Sequence, residues 1–393
     1  TLQGAKARRK IWLGVNSILS VVRATFGPEG RTALLFRTMN RGNRITDDGV
    51  TVAECQSPKD QFVRMAAETF KEGCKRTVEK VGDGPQPLYS KVLTPNGFIK
   101  MGDVKVGDKI CGTNGTIQEV LGVFPQGKKQ VLKIKFSDGR IVECCEDHLW
   151  RITTSDETIK VLRTKELLDG GLFNTKSNGQ KQFKYFVPIS KAEFNQKEVP
   201  LDPYLVGILL GDGSVSGTGS VELSLGLSKE HIIGKIRIPE GWKLNIKLIE
   251  HKNYFRVKIG GKTKDGKTPK NVLEEIGLLG KKSNNKFIPD VYLYSDINSR
   301  KALLQGLSDT DGHINKRGLL EYSTISTELY LDVLELMRGL GKSTFSYLKE
   351  KGRDSYSTTP IYKISELKGY KYGNKIVEIE TTGVDTEMQC IKV

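Results

Sequence analysis

The chain has 393 residues, enough for two or three domains with separate cores, and its hydrophobic share of 37% is ordinary for a globular protein. A formal charge of +16 favours a polyanionic partner, nucleic acid or nucleotide phosphate, over an acidic-surface reading. Six cysteines (Cys55, Cys74, Cys111, Cys144, Cys145, Cys390) make no CxxC pair and no His stands at zinc-finger spacing, which excludes a zinc module and fits a reducing, cytoplasmic setting. No apolar run approaches the ~20 residues of a bilayer span, so no membrane partner is expected. The opening TLQGAKARRK without Met and the closing MQCIKV are abrupt, so a piece of a longer protein is expected.

From Gly4 to about Lys80 the pattern is helical. Ile11, Val15, Ile18, Leu19 and Val22 recur with helical spacing up to a break at Phe26-Gly27-Pro28, and a second helix is predicted over about Lys59 to Glu79. A Gly-Pro turn after a helix, as in Thr25-Phe26-Gly27-Pro28, presents backbone N–H groups to phosphate oxygens. The run GVNSILSVVRATFGPEGRTALL, then ITDDGVTVA, then VGDG, resembles the start of the equatorial domain of bacterial-type chaperonins over about residues 4–84. The resemblance implies that Thr25, Gly27 and Pro28 line the phosphates of ATP, that Asp48 orients the hydrolytic water and that Asp83 ligates Mg²⁺. The plainer alternative makes Asp47 and Asp48 a turn and Asp83 a loop. The remaining chaperonin domains have no counterpart, so ATP turnover and protein folding are not expected; an intact chaperonin would be a ring oligomer and this chain a monomer.

After Gly84 the texture changes to short β-branched runs separated by turns. PQPLYSKVLTPNGFIKMGDVKVGDKI resembles the first block of inteins, Hint-type protein-splicing elements, with Pro87, Lys91, Gly97, Gly107 and Asp108 matching. Pro85 then occupies the first intein position, where the family has Cys or Ser, and Gly84 precedes the junction. Proline has no nucleophile, so direct attack by the residue after the intein is the expected route. Twisting the tertiary Gly84–Pro85 amide is eased by its cis penalty of only ~0.5–1 kcal/mol. SDGRIVECCEDHLWRI resembles the second block: His148 matches its histidine and Cys145 stands where Thr is usual. Such an imidazole, near the scissile amide nitrogen, can donate a hydrogen bond to the strained amide and protonate the leaving group; the alternative is a packed core histidine. NKIVEIETTGVDTEMQCIKV resembles the strands entering the closing half of the splicing fold, with Cys390 a small buried hydrophobe rather than a nucleophile. No His-Asn pair follows it, so completed splicing is not expected of the chain as written.

Between about Leu201 and Gly352 helix and strand patterns mix, and two related segments occur, YLVGILLGDG and ALLQGLSDTDG. Leu-x-Gly-x-x-x-x-Asp-Gly on a helix gathers apolar and small residues on one face, so two copies can pack closely with their terminal acids together. The pair, with KFIPD and LLEYSTISTELYLDVLELMRGLG, resembles the two-motif LAGLIDADG (DOD-type) homing endonucleases. The resemblance implies that Asp212 and Asp311 hold Mg²⁺ at the scissile phosphates and that Lys286 assists the attacking water or stabilises phosphorane charge. A solvated lysine is the alternative for Lys286. The basic run KLNIKLIEHKNYFRVKIGGKTKDGKTPK suits a ribbon along the major groove of double-stranded DNA. The implied target is the uninterrupted chaperonin gene.

The expected architecture is multidomain: an α-helical chaperonin equatorial fragment (1–84), an all-β Hint splicing fold (85–200 and 353–393), and an α/β LAGLIDADG endonuclease with pseudo-two-fold αββαββα repeats (201–352). Two other readings stand beside it: an ATP-binding chaperonin with an inert insertion, and a DNA-binding module that does not cleave.

Overall fold

The computed structural model describes residues 3–23, 33–35, 44–46, 53, 56–79, 84–176, 178–215, 217, 220–349, 360–368 and 373–393. The chain divides into two units, Thr1–Asp83 and Gly84–Ile391. No helix among the described residues is long and apolar enough to cross a membrane.

In the first unit helix α1 (Gly4–Val22) packs on α2 (Gln61–Glu79). Gly14 sets their spacing, since a Cβ there would lie 2.5 Å from the carbonyl oxygen of Val63. Ile18 and Ala67 fill the contact, whereas Ile11, Trp12 and Leu19 are exposed. The helical spacing thus marks a stripe of which the glycine and Ile18 are the buried members. Strands β1 (Ala33–Leu35) and β2 (Arg44–Thr46) form a separate antiparallel pair. Thr25, Gly27, Pro28, Asp48 and Asp83 lie outside the described residues.

The second unit holds a seven-stranded sheet and two four-stranded sheets. The larger sheet comprises β3 (Gln86–Pro87), β4 (Gly122–Phe136), β5 (Ile141–Cys144), β6 (Leu149–Thr154), β7 (Ile159–Arg163), β8 (Tyr185–Val187) and, from the far end of the chain, β17 (Asn374–Lys392). Its order is β7-β6-β8-β17-β4-β5, with β3 also paired to β17. Leu132, Ile134, Phe136, Trp150, Ile152 and Ile376 form its core. The chain leaves this sheet at Val187 and rejoins it at Asn374, and these two residues are register partners. Gly373 makes the return possible: its φ is +112° and a Cβ would meet the Val187 carbonyl oxygen at 2.1 Å.

Between those points lie helix α3 (Pro203–Asp212), strands β9 (Gly213–Ser214), β10 (Val221–Gly226), β11 (Trp242–Ile249) and β12 (Tyr254–Gly261), then helix α4 (Ile297–Asp311), strands β13 (Gly312–Ile314) and β14 (Leu320–Thr324), helix α5 (Thr327–Gly339), and strands β15 (Thr344–Lys349) and β16 (Ile361–Glu366). The sheets run β9-β10-β12-β11 and β13-β14-β16-β15, the same order twice. Each follows a motif helix. The expected boundary at Gly352 is corrected here: Ile361–Glu366 pairs with β14 and β15, and Ile364 is buried with the residues of this module. Its alternation suits any half-buried strand, so the pattern alone could not say which sheet it joins.

Both motif helices start at designed caps. Asp202 accepts from the Leu205 amide with Pro203 at the first helical position, and Asp296 accepts from the amides of Asn298 and Ser299. Tyr204 to Leu210 are all buried, so α3 is apolar on every side and lies inside the module. It crosses α4 at glycines. A Cβ on Gly207 would lie 2.4 Å from the Leu303 carbonyl oxygen, and one on Gly306 2.4 Å from that of Tyr204.

Gly207→Ala and Gly306→Ala are each expected to destabilise the protein. Alanine gains about 1 kcal/mol of helix propensity, but a methyl group against a carbonyl oxygen forces the helices apart and opens the core around them. The net loss should be about 2 kcal/mol by urea denaturation; a neutral or stabilising result would show that the helices do not cross in this register.

Candidate functional site

The glycine crossing brings the carboxyl ends of α3 and α4 together, with Asp212 and Asp311 as their last helical residues. The acids feel one another: burial first, then the charge of Asp212, raises the Asp311 carboxyl above its ordinary range, against the pull of Lys229 and Lys286. Lys229 bridges the two helices, donating to Asp212 Oδ2 at 2.6 Å and to the carbonyl oxygen of Thr310 at 2.7 Å.

Lys286 is not the solvated lysine of the alternative reading. It is 3% exposed, and its ammonium lies 2.8 to 3.2 Å from the carbonyl oxygens of Leu209, Leu210, Gly211 and Gly213. Those are carbonyls left without partners where α3 ends, so the lysine caps the helix and places a positive charge beneath the acids. Burial lowers it to about 8, with Asp311 and Asp212 holding it up. Its position is fixed from behind by Ser326, the cap of α5, whose hydroxyl donates to the Lys286 carbonyl at 2.6 Å. A second network flanks the site, where Asp309 accepts from Tyr204 and Lys235. Neither Lys229 nor Lys235 stood out in the sequence; a lysine in a polar turn carries no periodicity or motif to mark it.

Among the described residues no group of three His, Cys, Asp or Glu side chains is assembled to hold a metal. Two carboxylates and a helix-end carbonyl are nonetheless an all-oxygen donor set of the kind Mg²⁺ takes, with water and phosphate in its other positions. The residues fit that ion better than a soft metal, since no thiolate or imidazole is among them.

The sheets beside the helices turn a polar face outward. In the first, register places Asn245 and Lys247 of β11 opposite Lys258 and Arg256 of β12, with Lys243 on the same face opposite Gly260, while Val257 and Ile259 face the core. The second bears Phe345 and Tyr347, each more than 40% exposed, beside Lys363. Four cations within one sheet face make a surface suited to phosphates.

A separate constellation surrounds Gly84 and Pro85. Gly84, at φ +86°, lies so close to the chain that a Cβ would be 2.5 Å from His148 Cα. His148 Nδ1 is 3.2 Å from the Gly84 carbonyl oxygen, an acceptor only, so the ring donates from that nitrogen. The imidazole therefore faces the oxygen of the Gly84–Pro85 amide; proline has no N–H, and its nitrogen lone pair is delocalised into the amide. Cys145 N donates to the Pro85 carbonyl at 3.4 Å, but its thiol is buried and pushed up to about 11, so it is neutral. Strand β17 runs alongside, Met388 opposite Pro87. Cys390, also in β17, is 6% exposed.

Burial lowers His148 to about 4, the Gly84 carbonyl opposing this in part. The imidazole is thus neutral in the folded protein at pH 7, whereas unfolding restores a value near 6.5. Stability is complete above pH 6.5 and falls as the unfolded chain takes up the proton between pH 6.5 and 4. His148→Gln should remove about 2 kcal/mol of the stability lost between pH 7 and pH 5. Denaturation curves measured across that range would run parallel for both proteins if the ring were solvated.

Residues 298–375 match the LAGLIDADG-like domain, from α4 to the start of β17. Over 292 residues the chain is 25% identical to the replicative DNA helicase DnaB of Mycobacterium intracellulare, covering 69% of this chain and 45% of that protein. Over 96 residues it is 41% identical to chaperonin GroEL 1 of Polaromonas naphthalenivorans (strain CJ2), covering 24% of this chain and 17% of that one. The chain thus spans less than half the length of either relative. Among solved structures, the gp41-1 intein is 29% identical over 26% of this chain and 75% of its own, with a TM-score of 0.19. The chain thus contains a LAGLIDADG-like domain, and other parts of it are similar to chaperonins and to the gp41-1 intein.

Proposed function

We propose that the inserted module is a Mg²⁺-dependent, site-specific endonuclease acting on double-stranded DNA, carried within a protein-splicing element. The observation that carries it is the crossing at Gly207 and Gly306, which joins two acids at the adjoining ends of two buried helices beside cationic sheet faces. Two such halves, each a motif helix followed by a sheet of the same strand order, suit the two strands of a duplex. The target proposed is the chaperonin gene without the insertion, the sequence that the insertion itself divides.

In this reading Lys243, Lys247, Arg256 and Lys258 hold phosphates and set the DNA in register. Asp212 and Asp311 hold Mg²⁺, which supplies Lewis-acid polarisation and charge stabilisation at the phosphate when bound. Lys286, with its hydrogens engaged by helix carbonyls, positions the end of α3 and lends its charge to the acids; direct contact with water or phosphate would require it to leave that cap. For splicing, His148 polarises the Gly84 carbonyl, which raises the electrophilicity of its carbon toward a nucleophile from outside. Pro85 supplies none, and the buried thiol of Cys145 takes no part as an anion.

Asp212→Ala and Asp311→Ala should each reduce cleavage of a supercoiled plasmid carrying the uninterrupted site by at least about 100-fold, since removing charge stabilisation at a reacting phosphate has that scale. Binding should persist, because lysine and arginine contacts to phosphate supply most of the affinity. Gel analysis of cleavage beside a binding titration separates the two. Undiminished cutting by both variants would remove the acids from the site, and retention of DNA by the native chain without cutting in Mg²⁺ would favour a binding module.

A further inference from the structure

Each motif helix ends on an aspartate, and one lysine from neither helix joins the Asp212 carboxylate of the first to the Thr310 carbonyl of the second. Lys229 belongs to the segment Leu227–Lys235, which is anchored by the buried Ile232. Its Nζ is 2.6 Å from Asp212 Oδ2 on α3 and 2.7 Å from the Thr310 carbonyl oxygen on α4. A carboxylate oxygen and a backbone carbonyl oxygen from opposite helices are donors for a hard cation, and an ammonium at these distances leaves no room for another between them. We propose that Lys229 is an internal counter-cation of the site: in the metal-free protein its ammonium takes the place between the helix ends that a divalent ion needs, and metal binding requires it to withdraw. The inference rests on the reading of Asp212 and Asp311 as metal ligands.

Comparison of the two lysines favours a removable group. Lys286 is 3% exposed and is engaged by four carbonyls, so it has neither route nor freedom to leave. The Lys229 side chain is 29% exposed. Rotation about its own stem carries the ammonium to water without moving either helix. The residue also answers a physical need. Two like charges at adjoining helix ends repel when no ion is present, and Lys229 offsets that repulsion while linking the ends. The chain can then fold and keep its site assembled before it meets metal or DNA, at the cost of a weaker apparent affinity for the ion. The other charged groups beside the pair are Asp311, Lys286 and the Asp309–Lys235 pair, and their hydrogen bonds go to other partners.

Mn²⁺ serves as the probe, with free ion followed by its electron paramagnetic resonance signal in titrations of the full chain without DNA. Lys229→Met should bind Mn²⁺ at least about tenfold more tightly than the native chain, the scale of one charge-assisted contact no longer displaced. Its metal-free melting temperature should be lower, and the rise on adding Mn²⁺ larger, than for the native chain. Lys229→Arg, which keeps the charge, should stay nearer the native affinity. Equal or weaker Mn²⁺ binding by a folded Lys229→Met would overturn the proposal while native binding that is lost in Asp212→Asn would leave the metal reading standing. If Lys229→Met folds only with Mn²⁺ present, the counter-cation role is supported; if it stays unfolded with Mn²⁺, the role is rejected. Absence of binding in both the native and Lys229→Met proteins would remove the metal reading together with the proposal.

Discussion

Two helix backbones touch at Gly207 and Gly306, and the distance between them is set by the absence of side chains at that point. From this contact follow the nearness of Asp212 and Asp311, the unfavourable charge between them, and the need for cations on either side. Lys286 meets that need from beneath and Lys229 from the open side. The apolar surface of α3 makes the crossing rigid, since a helix buried on every side has no alternative position. A wider crossing would ease the repulsion but leave the Thr310 carbonyl and the Asp212 carboxylate too far apart to share one cation.

The larger sheet solves a different problem. There an uncharged ring and an uncharged thiol stand beside the Gly84–Pro85 amide, both kept neutral by burial. A neutral imidazole that donates to the Gly84 carbonyl fits a junction whose second residue is proline, because the only hydrogen-bonding atom the amide offers is its oxygen. Gly84 permits the approach: any side chain there would collide with the backbone of His148. The two sites are thus opposites, one built from charge held in balance and the other from charge removed.

The sequence displayed the helices most clearly, because the motif repeats combine composition, small residues and caps in one short stretch. Asp212, Asp311 and His148 were legible for the same reason. Lys286 was legible in position but its surroundings were not, since the neighbouring lysines and asparagines of KKSNNK suggest solvent, and only folding brings the end of α3 over it. Lys229 was invisible: it acts across 81 residues of separation from Thr310, and nothing local distinguishes it from other surface lysines. Strand Ile361–Glu366 shows the limit of pattern reading. Its alternation announced a strand correctly, yet partner choice depends on where the preceding strands have already been laid.

The pairing of Val187 with Asn374 has an architectural corollary. Because departure and return are neighbours on adjacent antiparallel strands, the intervening polypeptide is a detachable cassette rather than a link between distant points. Closing the same two strands with a turn of about two to five residues is ordinary hairpin geometry, so the surrounding sheet can exist with the cassette or without it, in the same register. Some traffic across the boundary would be forfeited, such as the hydrogen bond from the Glu193 amide to the Gly115 carbonyl and that from Arg338 to the Asp138 carbonyl. None of it is a strand pairing of the larger sheet. Acquisition or loss of the inserted module can therefore proceed at this site as a single genetic event that leaves the larger sheet's hydrogen-bond ladder intact.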